Sequence, residues 1–211
     1  MAVKRPEDSF ATLAPPVLLK GTESIAGWQV AFNTLHPEVL KNVVALVCDG
    51  HRGLIYYARR KLWHIQRCHF HLVARIQGRR SRWSKSRHQE EGERIYALVH
   101  QVLTTKDETI ILSLLTEIEE IGWLNTSPGI RRALAGFVNN YEDFRTYLKF
   151  PELNLPRTSN SIESFIGTFN YVCHRARGFS TVHAFLIWLG AFVKYKQRIK
   201  CNGFSQPNYG G

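Results

Sequence analysis

The amino-acid sequence predicts an α/β protein, a mostly parallel sheet covered by helices, with a large all-helical insertion. Three observations lead there. Two short runs, Val43-Val44-Ala45-Leu46-Val47 and Trp63-His64-Ile65-Gln66-Arg67, read as strands, and each ends on residues with polar chemistry. Helical patterns precede the first run and separate it from the second, and this α-β-α-β order argues for parallel strands. Between Arg75 and Tyr147 no strand signal interrupts a succession of helical periodicities.

Taken in order, the start of the chain carries no capped helix, and Pro15-Pro16 forbids one there. Thr22-Glu23-Ser24 reads as a helix start. Ile25, Trp28, Phe32 and Leu35 follow on one face, and His36-Pro37 ends the run. The first strand stops at Cys48-Asp49-Gly50, a helix follows from about Gly53 to Arg60, and the second strand ends on Cys68-His69-Phe70-His71. Three helical patterns then run through Ile95, Leu98, Val99 and Val102, through Ile110, Ile111, Leu114, Leu115 and Ile118, and through Ile130, Ala133, Leu134, Phe137, Val138 and Tyr141. Pro156 and Asn160 suit a loop opening a helix whose buried face is Ile162, Phe165, Ile166 and Phe169. A last helix over about residues 182–199 is apolar nearly all round at first, which predicts burial. Residues 201–211 read as an irregular tail.

With 211 residues and 44% hydrophobic content the chain can bury a real core. A formal net charge of +11 points to a polyanionic partner, of which nucleic acid is the commonest. Cys48, Cys68, Cys173 and Cys201 are scattered without a secreted-type framework. Residues 1–7 are charged with no apolar core after them, and the longest apolar run, residues 184–193, falls far short of the roughly 20 residues a membrane span needs. The expectation is a soluble intracellular protein with no membrane partner, lying in the cytoplasm or nucleoid if bacterial.

Each chemically suggestive residue carries a functional and a structural reading. Asp49, at a strand end beside Gly50, is a candidate hard-metal ligand or a turn acid capping the next helix. Glu163 is a candidate metal ligand on a helix first turn, or the partner of an Asn160 N-cap in a capping box. Cys68-x-x-His71 is half of a zinc site, with Cys173-His174 as the only compact second half, and adjacent residues rarely serve one metal well. Otherwise Cys68 is buried at the strand end and His71 faces the cleft. Arg75, Arg79, Arg80, Arg82, Lys85 and Arg87, interrupted by Trp83 and free of acids until Glu90, form a candidate phosphate-contacting surface rather than a merely solvated face.

Together, CDGHRGL, CHFH, the helical block and LPRTSNSIESF resemble the catalytic region of Mutator-like and related bacterial insertion-sequence transposases. The resemblance covers most of the chain, from about Gly21 to Arg198, and lies in an Asp-Gly, a Cys-x-x-His and a Thr-x-Asn-x-x-Glu. It implies a DDE-type enzyme with a ribonuclease-H-like core, cleaving DNA phosphodiesters and transferring strands with Mg²⁺ or Mn²⁺. Asp49 then corresponds to the second catalytic acid and metal ligand, Glu163 to the third, and Cys68, His71 and Asn160 to supporting residues. DNA, as transposon ends and target, is the implied partner, and assembly on paired ends makes a homo-oligomer an expectation. On this reading residues 1–74 are the first part of an incomplete ribonuclease-H-like core, 75–150 the helical insertion with the basic patch, and 151–200 the last core helices carrying Glu163. The family's first acid has no strand-borne counterpart here: Asp8, the sole aspartate upstream, sits in a turn-like stretch. The expectation is a truncated catalytic region that retains two of three carboxylates. Two further readings stand beside it: a catalytically dead DNA-binding remnant, and a zinc-stabilised nucleic-acid-binding protein.

Overall fold

The computed structural model describes residues 1–19, 21–83, 89–125, 128–176 and 178–201, with side chains except those of 78–83, 89, 124 and 125. The fold is mixed α/β and mostly helical. It opens with two strands that the sequence reading missed, β1 (Ala2–Val3) and β2 (Phe10–Leu13), joined by a turn in which Asp8 N–H donates to Arg5 O. Helix α1 (Ile25–Asn33) starts where expected because the Ser24 hydroxyl accepts from Gly27 N–H at 3.1 Å. Pro37 stops that helix but also opens a short second one, α2 (Pro37–Lys41).

The next unit is a β-α-β step: β3 (Ala45–Cys48), α3 (Arg52–Arg60) and β4 (His64–Arg67). The strands pair parallel, Ala45 opposite His64 and Cys48 opposite Arg67. Phe32 of α1 stacks on Tyr57 of α3 with centroids 4.5 Å apart, and Trp63 meets both rings edge-on. This aromatic trio fixes the helices over the strand pair.

Helix α4 (His69–Trp83) begins directly after Cys68 and leads into the predicted helical block: α5 (Gln89–Thr104), α6 (Ile111–Asn125) and α7 (Pro128–Val138), then the short α8 (Tyr141–Phe144) and α9 (Thr146–Lys149). Ile76, Ile95, Val99, Val102, Ile118, Ile130 and Phe137 are almost wholly removed from solvent in its core. Buried polar groups weld the block to β4. Gln66, fully buried, donates to Phe144 O at 3.0 Å and accepts from Tyr147 N–H at 2.9 Å, while the Thr146 hydroxyl donates to Ile65 O. His69 donates its ring Nε2–H to Phe144 O at 2.7 Å, and burial pushes its pKa down to about 4, so the ring is neutral near pH 7. Arg145, also fully buried, donates to Val102 O and to Glu108 Oε1.

The chain closes with α10 (Asn160–Arg175), α11 (Val182–Lys196) and β5 (Arg198–Lys200). Three expectations change here. The last helix stops at Lys196, and residues 198–200 become a strand pairing antiparallel with β2, Ala11 opposite Ile199. The sheet is therefore not one mostly parallel layer. A parallel pair β3-β4 stands beside a separate antiparallel sheet, β1-β2-β5. Nor is α11 buried: none of its residues is fully covered, and Val182 and Ile187 are 65% and 61% exposed. Its apolar residues meet α10 through rings (Phe169 with Phe185, Trp188 and Phe192), which covers one side only.

Candidate active site

Cys48, Asp49, Cys68 and His71 lie at or just beyond the carboxyl ends of β3 and β4. Cys68 N–H donates to Cys48 O at 2.7 Å, so the two strands stay paired to the last residue before their loops diverge. Asp49 leaves β3 exposed, and its Oδ1 accepts from His51 N–H at 2.9 Å. The helix behind it is capped by His51, whose Nδ1 accepts from Gly53 N–H at 3.2 Å. Asp49 thus shapes the turn and leaves the cap to its neighbour. Gly50 has φ +101°, and a β-carbon there would lie 2.5 Å from Arg67 Nη2. The positive φ favours glycine, while the close approach falls on the end of the Arg67 side chain, which would have to move for any larger residue.

Arg67 is a site residue the sequence reading did not single out. Its guanidinium sits under Gly50 and over the Phe144 ring, 4.5 Å from the centroid, and its buried Nε has no hydrogen-bond partner. Burial lowers its pKa, against the pull of Asp143. Asp143, paired with Arg59 at 3.3 Å, is in turn raised by burial. A lone arginine at a strand end gives no sequence signal of such a position.

The loop before α10 brings Glu163 to the same end. Arg157 O accepts from His69 N–H at 2.9 Å, and Ser159 N–H donates to Cys68 Sγ at 3.3 Å. The predicted capping box does not form. Ser159, not Asn160, is the N-cap, it makes no side-chain cap bond, and its hydroxyl binds Glu163 Oε1 instead. Asn160 becomes the first helical residue and is exposed. His71, in the first turn of α4, has Nδ1 3.6 Å from Glu163 Oε1. One ligand atom each from Cys68, His71 and Glu163 lie within 4.8 Å of one another, the one such group of three among the described residues. Cys173-His174, offered as a second metal-binding pair, takes no part in it.

Asp8 is exposed in the β1–β2 turn, outside the β3-β4 pair, and β3 pairs only with β4 among the described residues. Of the basic cluster, Arg75 is exposed on α4, Arg79, Arg80 and Arg82 belong to the same helix, and Lys85 and Arg87 lie outside the described residues.

A sequence profile described as "Transposase, Mutator family" matches residues 16–176, well over half of the chain. The chain belongs to the Mutator family of transposases. No curated protein and no solved structure matches it significantly. Membership gives this Mutator-family chain a role in DNA transposition and implies DNA as its partner, in keeping with the +11 charge. No described helix is long and apolar enough to cross a membrane.

Proposed function

We propose that the chain is a DDE-type catalytic region built on a ribonuclease-H-like core, hydrolysing and transferring DNA phosphodiesters with Mg²⁺ or Mn²⁺. What supports the reading is that the Asp49 loop leaves β3 at the end of the parallel strand pair where the loop before α10 bonds to the end of β4. That is where open α/β folds hold their ligands. The donor set fits the ion: Asp49 and Glu163 offer hard carboxylate oxygens, and Mg²⁺ is commonly held by one or two carboxylates with substrate phosphates completing its shell. Bound there, such an ion supplies charge stabilisation at the attacking and leaving oxygens.

The chain's own groups do the rest. Asp49, braced by His51 N–H, and Glu163, braced by the Ser159 hydroxyl, hold their carboxylates in place before DNA arrives. Arg67, half-buried behind Gly50, adds fixed positive charge near the scissile phosphate. Arg75, Arg79, Arg80, Arg82, Lys85 and Arg87 track the DNA backbone. If so, Arg75→Ala lowers the slope of log affinity against log salt by about 0.9.

Cleavage of supercoiled plasmid in Mn²⁺ tests the reading. Asp49→Ala and Glu163→Ala should each lose at least about a hundredfold in nicking rate, the size expected when one charge-stabilising group is removed. Equal nicking by both variants and the parent would overturn it. No nicking by the parent, with salt-sensitive DNA binding intact, would instead mark a binding remnant.

A further inference from the structure

We infer that Cys68, His71 and Glu163 form a binding site for a borderline-soft divalent ion of the Zn²⁺ class, separate in chemistry from the Mg²⁺ reading above. The inference does not rest on that reading; of the two carboxylates proposed there as Mg²⁺ ligands, it uses Glu163 alone.

The argument starts with the thiol. Cys68 is 1% exposed, and a buried cysteine ordinarily packs as a small apolar side chain. Here its sulfur faces polar groups instead: Ser159 N–H donates to it at 3.3 Å, and a His71 nitrogen and a Glu163 oxygen both lie within 4.8 Å. The imidazole is unsatisfied. His71 Nδ1 is shut from solvent with no hydrogen-bond partner, and its nearest acid, Glu163 Oε1, stands off at 3.6 Å. That gap is long for a hydrogen bond and close to the separation of two ligand atoms on one tetrahedral ion, about 3.3–3.7 Å for bonds of about 2.0–2.3 Å.

The donor types choose the metal. Thiolate and imidazole select Zn²⁺ and similar ions over Mg²⁺, and one carboxylate is compatible with either. A thiolate, a neutral imidazole and a carboxylate around a divalent ion sum to zero charge, which suits a site with one fully buried ligand. The support around the ligands is already present: the Ser159 hydroxyl orients the carboxylate and Ser159 N–H orients the sulfur. The His71 and Glu163 side chains are 32% and 35% exposed, so the site lies near the surface rather than deep in the core. Bound there, the ion ties the end of β4 and the first turn of α4 to the first turn of α10.

The test uses the full chain. After equilibration with zinc and desalting, the protein should carry one equivalent per chain by elemental analysis, and Co²⁺ in its place should give a near-ultraviolet thiolate-to-cobalt charge-transfer band. Cys68→Ser should abolish the band, whereas Cys173→Ser should keep it. His71→Ala and Glu163→Gln, at partly exposed positions that spare the core, should each weaken Co²⁺ binding by at least tenfold. Asp49→Ala should retain the full equivalent of zinc while losing plasmid nicking, which separates this site from the Mg²⁺ reading. Substoichiometric zinc in the parent, a band that survives Cys68→Ser, or unchanged affinity in both His71→Ala and Glu163→Gln would overturn the assignment.

Discussion

The two carboxylates proposed for catalysis ride on unequally supported halves of the molecule. Asp49 leaves β3, which pairs along its length with β4, the strand that follows Trp63 of the aromatic trio and is bonded through Gln66 to the helical block. Glu163 sits at the start of α10, a helix with one buried residue, Phe169, packed on α11, which has none. Precision on the first side comes from a dense core. On the second it comes from a few directed contacts, Ser159 to Glu163 and Ser159 to Cys68. A site assembled this way moves mainly on its α10 side, because regions with few buried contacts open at lower free energy than the core.

The largest break expected lies in the well-supported half. Arg145→Ala removes a fully buried guanidinium, orphans Val102 O and leaves a void at the junction of α8, α9 and α5. The expected loss is about 3–5 kcal/mol in urea unfolding. A loss under about 1 kcal/mol would mean that the junction repacks without it. In the thinner half, Phe169→Ala removes the ring on which Phe185, Trp188 and Phe192 converge. With half the environment open, the expected cost is about 2 kcal/mol, below the roughly 3–5 kcal/mol of a core Phe→Ala. Native-state hydrogen exchange should place α10 and α11 below α6 and α7 in opening free energy. Equal protection would erase the contrast. Gly50→Ala comes next, at about 1–2 kcal/mol from the positive φ and the crowding of Arg67. Unlike Arg145→Ala it should also slow nicking, because it displaces the Asp49 turn itself.

How far the sequence reveals this depends on range. The helices of the block were legible because each carries its own 3.6-residue period, and β3 and β4 because apolar runs ended on Asp-Gly and Cys-His. The β1-β2-β5 sheet was not: strands of two to four residues carry too little periodicity, and β5 exists only because β2 lies beside it. Membership of the Mutator family was readable from three motifs, and the profile match bears it out. The cap at α10 was misassigned by one residue because Ser159 and Asn160 are equally good candidates locally, and what decides is the tether from Ser159 N–H to Cys68 Sγ. The grouping of Cys68, His71 and Glu163 is likewise a long-range result. Sequence showed each residue type, but the only compact second pair it offered for Cys68 and His71 was the disfavoured Cys173-His174, and Glu163 could not be placed beside them.

The smallest expected effect bears on the misread helix. All-round apolarity says that α11 prefers not to face water, but it does not say how many neighbours it finds. Ile187, 61% exposed, touches the question directly. If the outer face of α11 is open in solution, Ile187→Ser changes stability by no more than about 0.5 kcal/mol, as surface substitutions usually do. A loss above about 1 kcal/mol that grows with protein concentration would mean that a second copy covers this face, since only an association equilibrium makes stability depend on concentration. A large loss independent of concentration would mean that the face is covered from within the chain, and the contrast between the two halves of the site would then have to be redrawn.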